Sequence, residues 1–334
     1  MKGWFRVRVL KENDYRTFER MCGLTQKALK RTMSTFLKSK YARVIETKDY
    51  ICAEGEIPIA LVAHLDTVFD KPAPAHEIFY DRQKNVIWSP YGLGADDRAG
   101  VFAIATIIKT TGLRPHVIFT TDEEKGALGA TVLSQIECPF KDLKYIIELD
   151  RRGANDCVFY DCENLDFIDY VEGFGFVEAI GSFSDISMIC EGWGVAGVNL
   201  SIGYRDEHTY TEILSVGHML QTIDKVITML TVPVDKIPFF KYIPAQYPTD
   251  WWYKAYLNHD YDLTHCYMCS MENKNEDMIP VKLRDDTIKY FCVDCIVDKG
   301  ISWCKVCGEA FELPENDMMG LCNDCKREIF SGKH

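Results

Sequence analysis

The chain has 334 residues, more than one hydrophobic core usually holds, so a large domain and a smaller one are expected. Its hydrophobic content of 47% and charged content of 26% exclude a disordered chain, and no run nears the roughly 18 apolar residues that span a bilayer, which excludes a membrane protein. Fifty acidic against 38 basic side chains give a net charge of −12, which repels phosphate backbones, so no nucleic-acid partner is expected.

The opening segment MKGWFRVRVLKENDYRTFERM sets Arg and Lys between apolar positions, a pattern that suits a strand and not a secretory signal; a cytoplasmic protein is expected. Then IPIALVAHLD, GVFAIATIIKTTG, HVIFTT, YIIELD and GVAGVNLSIG alternate β-rich runs with a helical stretch. Such alternation predicts an α/β domain over 1–231, with a mainly parallel mixed sheet flanked by helices on both faces. The run EILSVGHMLQTIDKVITML closes it as a helix, because Ile213, Leu214, Met219, Ile223, Val226 and Ile227 recur at helical spacing. Residues 232–255 hold four prolines and many aromatics, which cannot continue a helix and predict a strap or linker.

Residues 256–334 carry 15 Asp and Glu against 9 Lys and Arg and little apolar periodicity, so this small module needs staples. Eight of the 14 cysteines form C-x-x-C pairs there: Cys266 with Cys269, Cys292 with Cys295, Cys304 with Cys307, and Cys322 with Cys325. Two four-thiolate structural zinc sites are expected, of zinc-ribbon type, with a sequential or a cross-braced pairing both open. Such a closed module suggests a protein partner. Cys22, Cys52, Cys138, Cys157, Cys162 and Cys190 lack a pattern and read as small buried hydrophobes.

Five motifs fall at the ends of predicted strands. His64 and Asp66 lie two apart in a strand, so Asp66 can orient the imidazole. Asp96 and Asp97 sit in a glycine-framed turn feeding a helix; Glu123 and Glu124 follow HVIFTT; Asp150 ends YIIEL; His208 follows GVNLSI. Of two adjacent glutamates, one can bind a metal while the other faces substrate as a base. Two imidazoles and three carboxylates suit zinc, cobalt or manganese and exceed what one tetrahedral zinc takes, so a dinuclear site with a bridging carboxylate fits the count. Sites of open parallel sheets collect at the carboxyl ends of strands. His76, His116 and His259 have no metal-like context, and His218 reads as a helix-face residue.

Taken in order, HLDT, GADDRAG, TTDEEKGALGA, ELD and NLSIGYRDEHTYTE resemble the co-catalytic dizinc exopeptidase clan, which holds peptidase T, carboxypeptidase G and the zinc aminopeptidases. The resemblance covers roughly residues 40 to 230. GADDRAG and DEE-x-G are nearest to peptidase T, and SFSDISMICEGWGVAGVNL is similar to the stretch before the last His in the aminopeptidase branch. It implies a phosphorylase/hydrolase-like aminopeptidase fold in which Asp96 bridges two divalent metals. His64 and Asp150 would complete one and Glu124 and His208 the other, with Asp66 orienting His64, Glu123 as general base, and a cis peptide before Asp97. Asp150 and His208 are only 58 positions apart, too few for the lid domain of peptidase T, so the single-domain aminopeptidase branch is the expected architecture.

These features predict a metal-dependent hydrolase cleaving amide bonds, an aminopeptidase acting on small peptides. A carboxypeptidase or deacylase of the same clan is the alternative. A third reading, from another class, is a non-catalytic scaffold recruiting partners through the zinc module.

Overall fold

The computed structural model describes residues 8–181 and 183–245, together with six short strands between 263 and 312. The chain divides into two compact units, 1–249 and 250–334.

The first unit opens with two helices, α1 (Glu12–Cys22) and α2 (Gln26–Lys38), and continues through strands β1 (Arg43–Glu46), β2 (Tyr50–Glu54), β3 (Ile57–His64), β4 (Phe79–Asp81) and β5 (Val86–Trp88). Helix α3 (Ala95–Thr111) leads to β6 (Pro115–Thr120), α4 (Leu128–Ser134), β7 (Tyr145–Arg151), β8 (Asp156–Val158), α5 (Leu165–Glu172) and β9 (Val177–Glu178). Last come α6 (Asp185–Trp193), β10 (Gly197–Ser201), β11 (Tyr204–Arg205), β12 (Ile213–Ser215) and α7 (Val216–Leu230).

Eight strands form one mixed sheet in the order β1-β2-β6-β3-β7-β10-β8-β9. Its centre, β6-β3-β7-β10, is parallel, whereas β2 and β8 run antiparallel to their inner neighbours. The central strands are apolar on both sides, as a sheet covered twice must be. Ile59, Leu61, Ala63, Val117, Phe119, Ile147, Leu149, Val198 and Leu200 join the core beneath α1, α3 and α7, while Ala60, Val62, Ile118 and Ile146 join a second core under α4 and α6. Burying each large aliphatic side chain contributes about 1.5–3 kcal/mol. Side chains alternate along a strand, so His64, Thr120, Glu148, Asp150 and Asn199 share the side of the second core, at the strands' carboxyl ends. A smaller sheet, β11-β12-β5-β4, flanks them.

Two expectations are corrected. The described part of the opening segment is helical from Glu12, because Tyr15, Phe18, Met21 and Cys22 recur at helical spacing and are buried, with Glu12 and Asp14 in the first turn favouring the positive helix end. The closing helix begins at Val216; Ile213 and Leu214 belong to β12, where Leu214 pairs opposite Ile87. The ends of β7 and β10 carry buried Glu148 and Asn199. Within the described part of the segment after α7, Phe240 packs on Tyr145, Phe167 and Tyr170, and isolated bridges join Val195 to Lys241 and Cys162 to Pro244. Five of the six scattered cysteines are buried, Cys138 partly so, and all six are free thiols.

In the second unit β13 (Leu263–His265) pairs with β14 (Glu272–Lys274), and β15 (Met278–Lys282), β16 (Ile288–Cys292), β17 (Ile301–Trp303) and β18 (Ala310–Glu312) form a sheet in the order β16-β15-β18-β17. Val281 and Phe291 are buried there. Cys292 ends β16; Cys266, Cys269, Cys295, Cys304, Cys307, Cys322 and Cys325 lie outside the described residues. Among the described residues no helix is long and apolar enough to cross a membrane.

Candidate metal centre

The carboxyl ends of β3, β6 and β7, the start of α3 and the loop between β11 and β12 deliver eight polar side chains to one place. His64, the last residue of β3, has its ring fully buried. Its Nε2 lies 2.9 Å from Asp96 Oδ1 and 3.5 Å from Asp150 Oδ1. The other oxygen of Asp96, Oδ2, lies 3.2 Å from His208 Nε2, which is also 3.1 Å from Glu124 Oε2. One carboxylate therefore faces two histidines, each with an acid of its own.

Asp66 sits below this pair. Its Oδ1 is 3.3 Å from His64 Nδ1, a contact close enough for attraction though short of hydrogen-bond geometry. The same carboxylate accepts the backbone N–H groups of Glu123 and Glu124, each at 3.1 Å, and so fixes the turn that follows β6. That turn is also tied to α2, since Gln26 Oε1 accepts from the Asp122 N–H at 2.9 Å.

The peptide between Asp96 and Asp97 is cis. Asp97 is not free to bind an ion with either oxygen unshared: Oδ2 accepts from the His64 N–H at 3.2 Å and Oδ1 from the Gly100 N–H at 2.9 Å. Gly100 is required by close approach, because a Cβ there would stand 2.2 Å from the Leu149 carbonyl oxygen. Arg98, also buried, donates to the carbonyls of Leu65, Asp66 and Leu24, holding the chain just beyond β3 against the α1–α2 connection.

Acid crowding sets the electrostatics. Burial, reinforced by Asp150, Asp185 and Glu124, pushes Glu123 up to about 9, and burial with the nearby Asp96 pushes Glu124 to about 7. Burial and Asp96 likewise raise Asp150 to about 6. Asp96 goes the other way: burial opposes ionisation, but the hydrogen bonds from His208 and His64 outweigh it and hold the carboxyl below its ordinary range. The bond to Asp96 raises His208 to about 9. Buried acids gathered this way need positive charge, and Glu124 Oε1 is buried with no hydrogen-bond partner among the described residues. His64, Asp96 and Glu124 offer ligand atoms within 4.8 Å of one another, as do His64, Asp97 and Asp150. Oxygen and imidazole donors of this kind fit divalent zinc, cobalt or manganese.

All eight residues named in the five motifs meet here. Sequence reasoning missed others. Glu212, fully buried four residues beyond His208, accepts from the N–H groups of Gly94 and Asp96 at 2.6 and 2.9 Å, tying the His208 loop to the Asp96 turn. Tyr204 donates its hydroxyl to Asp150 Oδ1 at 3.0 Å, and Ser184 donates to Glu148 at 2.6 Å. The one available signal was an acid closing the motif EHTYTE; the tyrosine and serine offered none.

No protein-family model matches the sequence, and no curated protein is significantly similar to it. Solved structures are. Aminopeptidase PepT from Bacillus cereus superposes with a TM-score of 0.53 at 15% identity, over 66% of this chain and 98% of that one. A tripeptidase from Staphylococcus aureus gives 0.54 at 13%, over 68% and 100%. An aminopeptidase from the archaeon Desulfurococcus kamchatkensis gives 0.53 at 13%, over 67% and 96%. At such identities the likeness establishes a shared fold: the α/β mixed sheet flanked by helices is that of aminopeptidase-like proteins.

Proposed function

We propose that the first unit is a dinuclear metallopeptidase, an aminopeptidase that removes the N-terminal residue of small peptides. The observation that carries this reading is Asp96, whose two oxygens face His64 and His208 separately. In it, His64, Asp96 and Asp150 hold one divalent cation and His208, Asp96 and Glu124 the other, zinc being the first choice. When bound there, such a pair of cations would supply an acidified water and positive charge for the developing oxyanion.

The chain's own residues do the rest. Asp66 keeps His64 oriented and holds the Glu123–Glu124 turn through two backbone bonds. Glu123 is the carboxylate left over: its side chain makes no hydrogen bond among the described residues, and although burial and the neighbouring acids push it up, two cations beside it would hold it ionised and able to accept a proton. It takes the proton from the attacking water and returns it to the leaving amine. The solved neighbours named as aminopeptidases and a tripeptidase support a peptide substrate with a free amino terminus.

The eight cysteines of the second unit are proposed to hold two structural zinc ions in a module over 256–334 that binds a protein partner, with 232–255 as its linker. A chain truncated to residues 1–255 is then expected to stay folded and hydrolyse peptides, and the intact chain to bind four ions. The deciding experiment digests a mixture of peptides with free and blocked termini and reads products by mass spectrometry, beside native mass spectrometry of the protein. Cleavage only from free N-termini with four bound ions supports the reading; release of C-terminal residues, or two ions in all, overturns it.

A further inference from the structure

We propose that Asn199 is the positioning residue for Asp150: its side-chain amide replaces a peptide unit in the sheet and thereby places the ligand of the His64-side cation. The proposal rests on the reading of Asp150 as a ligand.

Strands β7 and β10 pair in parallel with Val198 opposite Ile147 and Asn199 opposite Glu148, and then slip, so that Ser201 stands opposite Arg151. Three steps on β7 are matched by two on β10. The surplus falls at Leu149 and Asp150, at the edge where the ligand must turn out of the sheet. A bulge of this kind strands a backbone N–H and C=O, and both are found on one side chain. The Asp150 N–H donates to Asn199 Oδ1 at 2.9 Å, and Asn199 Nδ2 donates to the Asp150 carbonyl at 2.9 Å. These two bonds repeat the donor and acceptor of a peptide group, which among the side chains only Asn and Gln can offer together.

Nδ2 also faces Tyr160 Oη at 3.0 Å and Ser184 Oγ at 3.2 Å. Ser184 in turn donates to Glu148 and lies 3.3 Å from Asp150 Oδ2, while Tyr204 donates to Oδ1. The Asp150 backbone is thus clamped by Asn199, and the hydroxyls of Tyr204 and Ser184 flank its carboxylate. Asn199 is fully buried, on the side of the sheet where Ile118, Ile146 and Val62 are apolar. A polar side chain there is costly unless wholly partnered, and its partners are Asp150 and the groups around it.

The test is a titration of the full chain with Mn²⁺, followed by electron paramagnetic resonance of the free ion. Manganese prefers oxygen and imidazole donors, so the cysteines do not obscure the count. Wild type is expected to bind two ions. Asn199→Leu keeps the volume and removes both hydrogen-bonding ends; Asn199→Ser is too short to reach and is the variant to use if the leucine protein does not fold by circular dichroism. Either should weaken one ion by roughly 10- to 100-fold and leave the other within about twofold. The affected ion should be the one lost in Asp150→Asn, so that adding Asn199→Ser to that variant changes nothing further.

A merely structural role would lower the melting temperature and leave both affinities alone; that result overturns the proposal by itself. A wild type that binds fewer than two ions overturns the dinuclear site, and this proposal with it. Hydrogen exchange on unmutated protein adds an independent check, since the Asp150 amide must be as protected as those inside β7, and rapid exchange there also overturns the proposal.

Discussion

His64 and His208 both lie within about 3 Å of the same aspartate, yet they are carried by opposite kinds of structure. His64 ends a strand paired on both sides, its ring wholly buried. His208 stands in a loop, its side chain 53% exposed, with a left-handed backbone (φ 64). Non-glycine residues in that region cost of order 1–3 kcal/mol, held by their surroundings. Here the holding group is Glu212, which bonds the loop to the Asp96 turn. The difference teaches that one half of the centre is built into the sheet, while the other is docked onto it.

The largest effect should come from neither histidine. Glu123→Gln is expected to lower turnover roughly 10²–10⁴-fold with both ions retained, whereas Glu124→Gln should empty the His208 side. Metal analysis of the two variants decides it; ion loss with Glu123 and retention with Glu124 would exchange their roles.

Next in size is the docking carboxylate. Glu212→Ala leaves two buried N–H groups without an acceptor, at about 1–3 kcal/mol each, and should weaken ion binding on the His208 side most. Denaturant unfolding beside Mn²⁺ titration checks this. If only stability falls, the loop is held by something else.

A direct contrast follows. His64→Ala should cost about 2–3 kcal/mol of stability as well as an ion, while His208→Ala should cost an ion and less than about 0.5 kcal/mol. Equal stability losses would erase the distinction between the two halves.

The smallest effect concerns a third imidazole. His116, at the opposite end of β6, accepts the Gly55 N–H on Nδ1, stacks on Phe140, and leaves Nε2 buried without a partner among the described residues. Burial lowers it to about 4, so the folded protein keeps it neutral where the unfolded chain, near its ordinary value of 6.5, takes up a proton. Its contribution is therefore whole above pH 6.5 and is lost as pH falls toward 4, about 1 kcal/mol being gone by pH 5.5. In His116→Asn, which keeps an acceptor, the fall in stability between pH 6.5 and 5.5 should be shallower by that amount; an unchanged slope would mean that the ring is already solvated.

The strand-borne half of the centre was the legible half. IPIALVAH and YIIELD show their period and their ends, and a polar residue just beyond an apolar run marks where the chain leaves the sheet. Loop residues were legible as candidates, but their individual roles came only through the motif resemblance. Glu212 and Arg98 were not, because each acts on backbone groups: Glu212 on residues 116 and 118 positions away, Arg98 on residues up to 74 away. The opening helix is hidden in the sequence because the Arg and Lys alternation of the first nine residues draws the eye past Glu12, where Tyr15, Phe18 and Cys22 already follow a helical period.

The packing of Phe240, beyond α7, has a consequence for how the chain is made. Phe240 N–H donates to the Lys144 carbonyl, the Ala196 N–H to the Phe240 carbonyl, and the Ala245 N–H to the Asp161 carbonyl. The aromatic cluster of Tyr145, Phe167 and Tyr170 therefore waits for a residue synthesised about 70–95 positions later. Until Phe240 emerges, a nascent chain exposes that cluster to water or to chaperones. At about 5–20 residues per second, that exposure lasts on the order of 5–20 s, and a chain released before Phe240 never covers it.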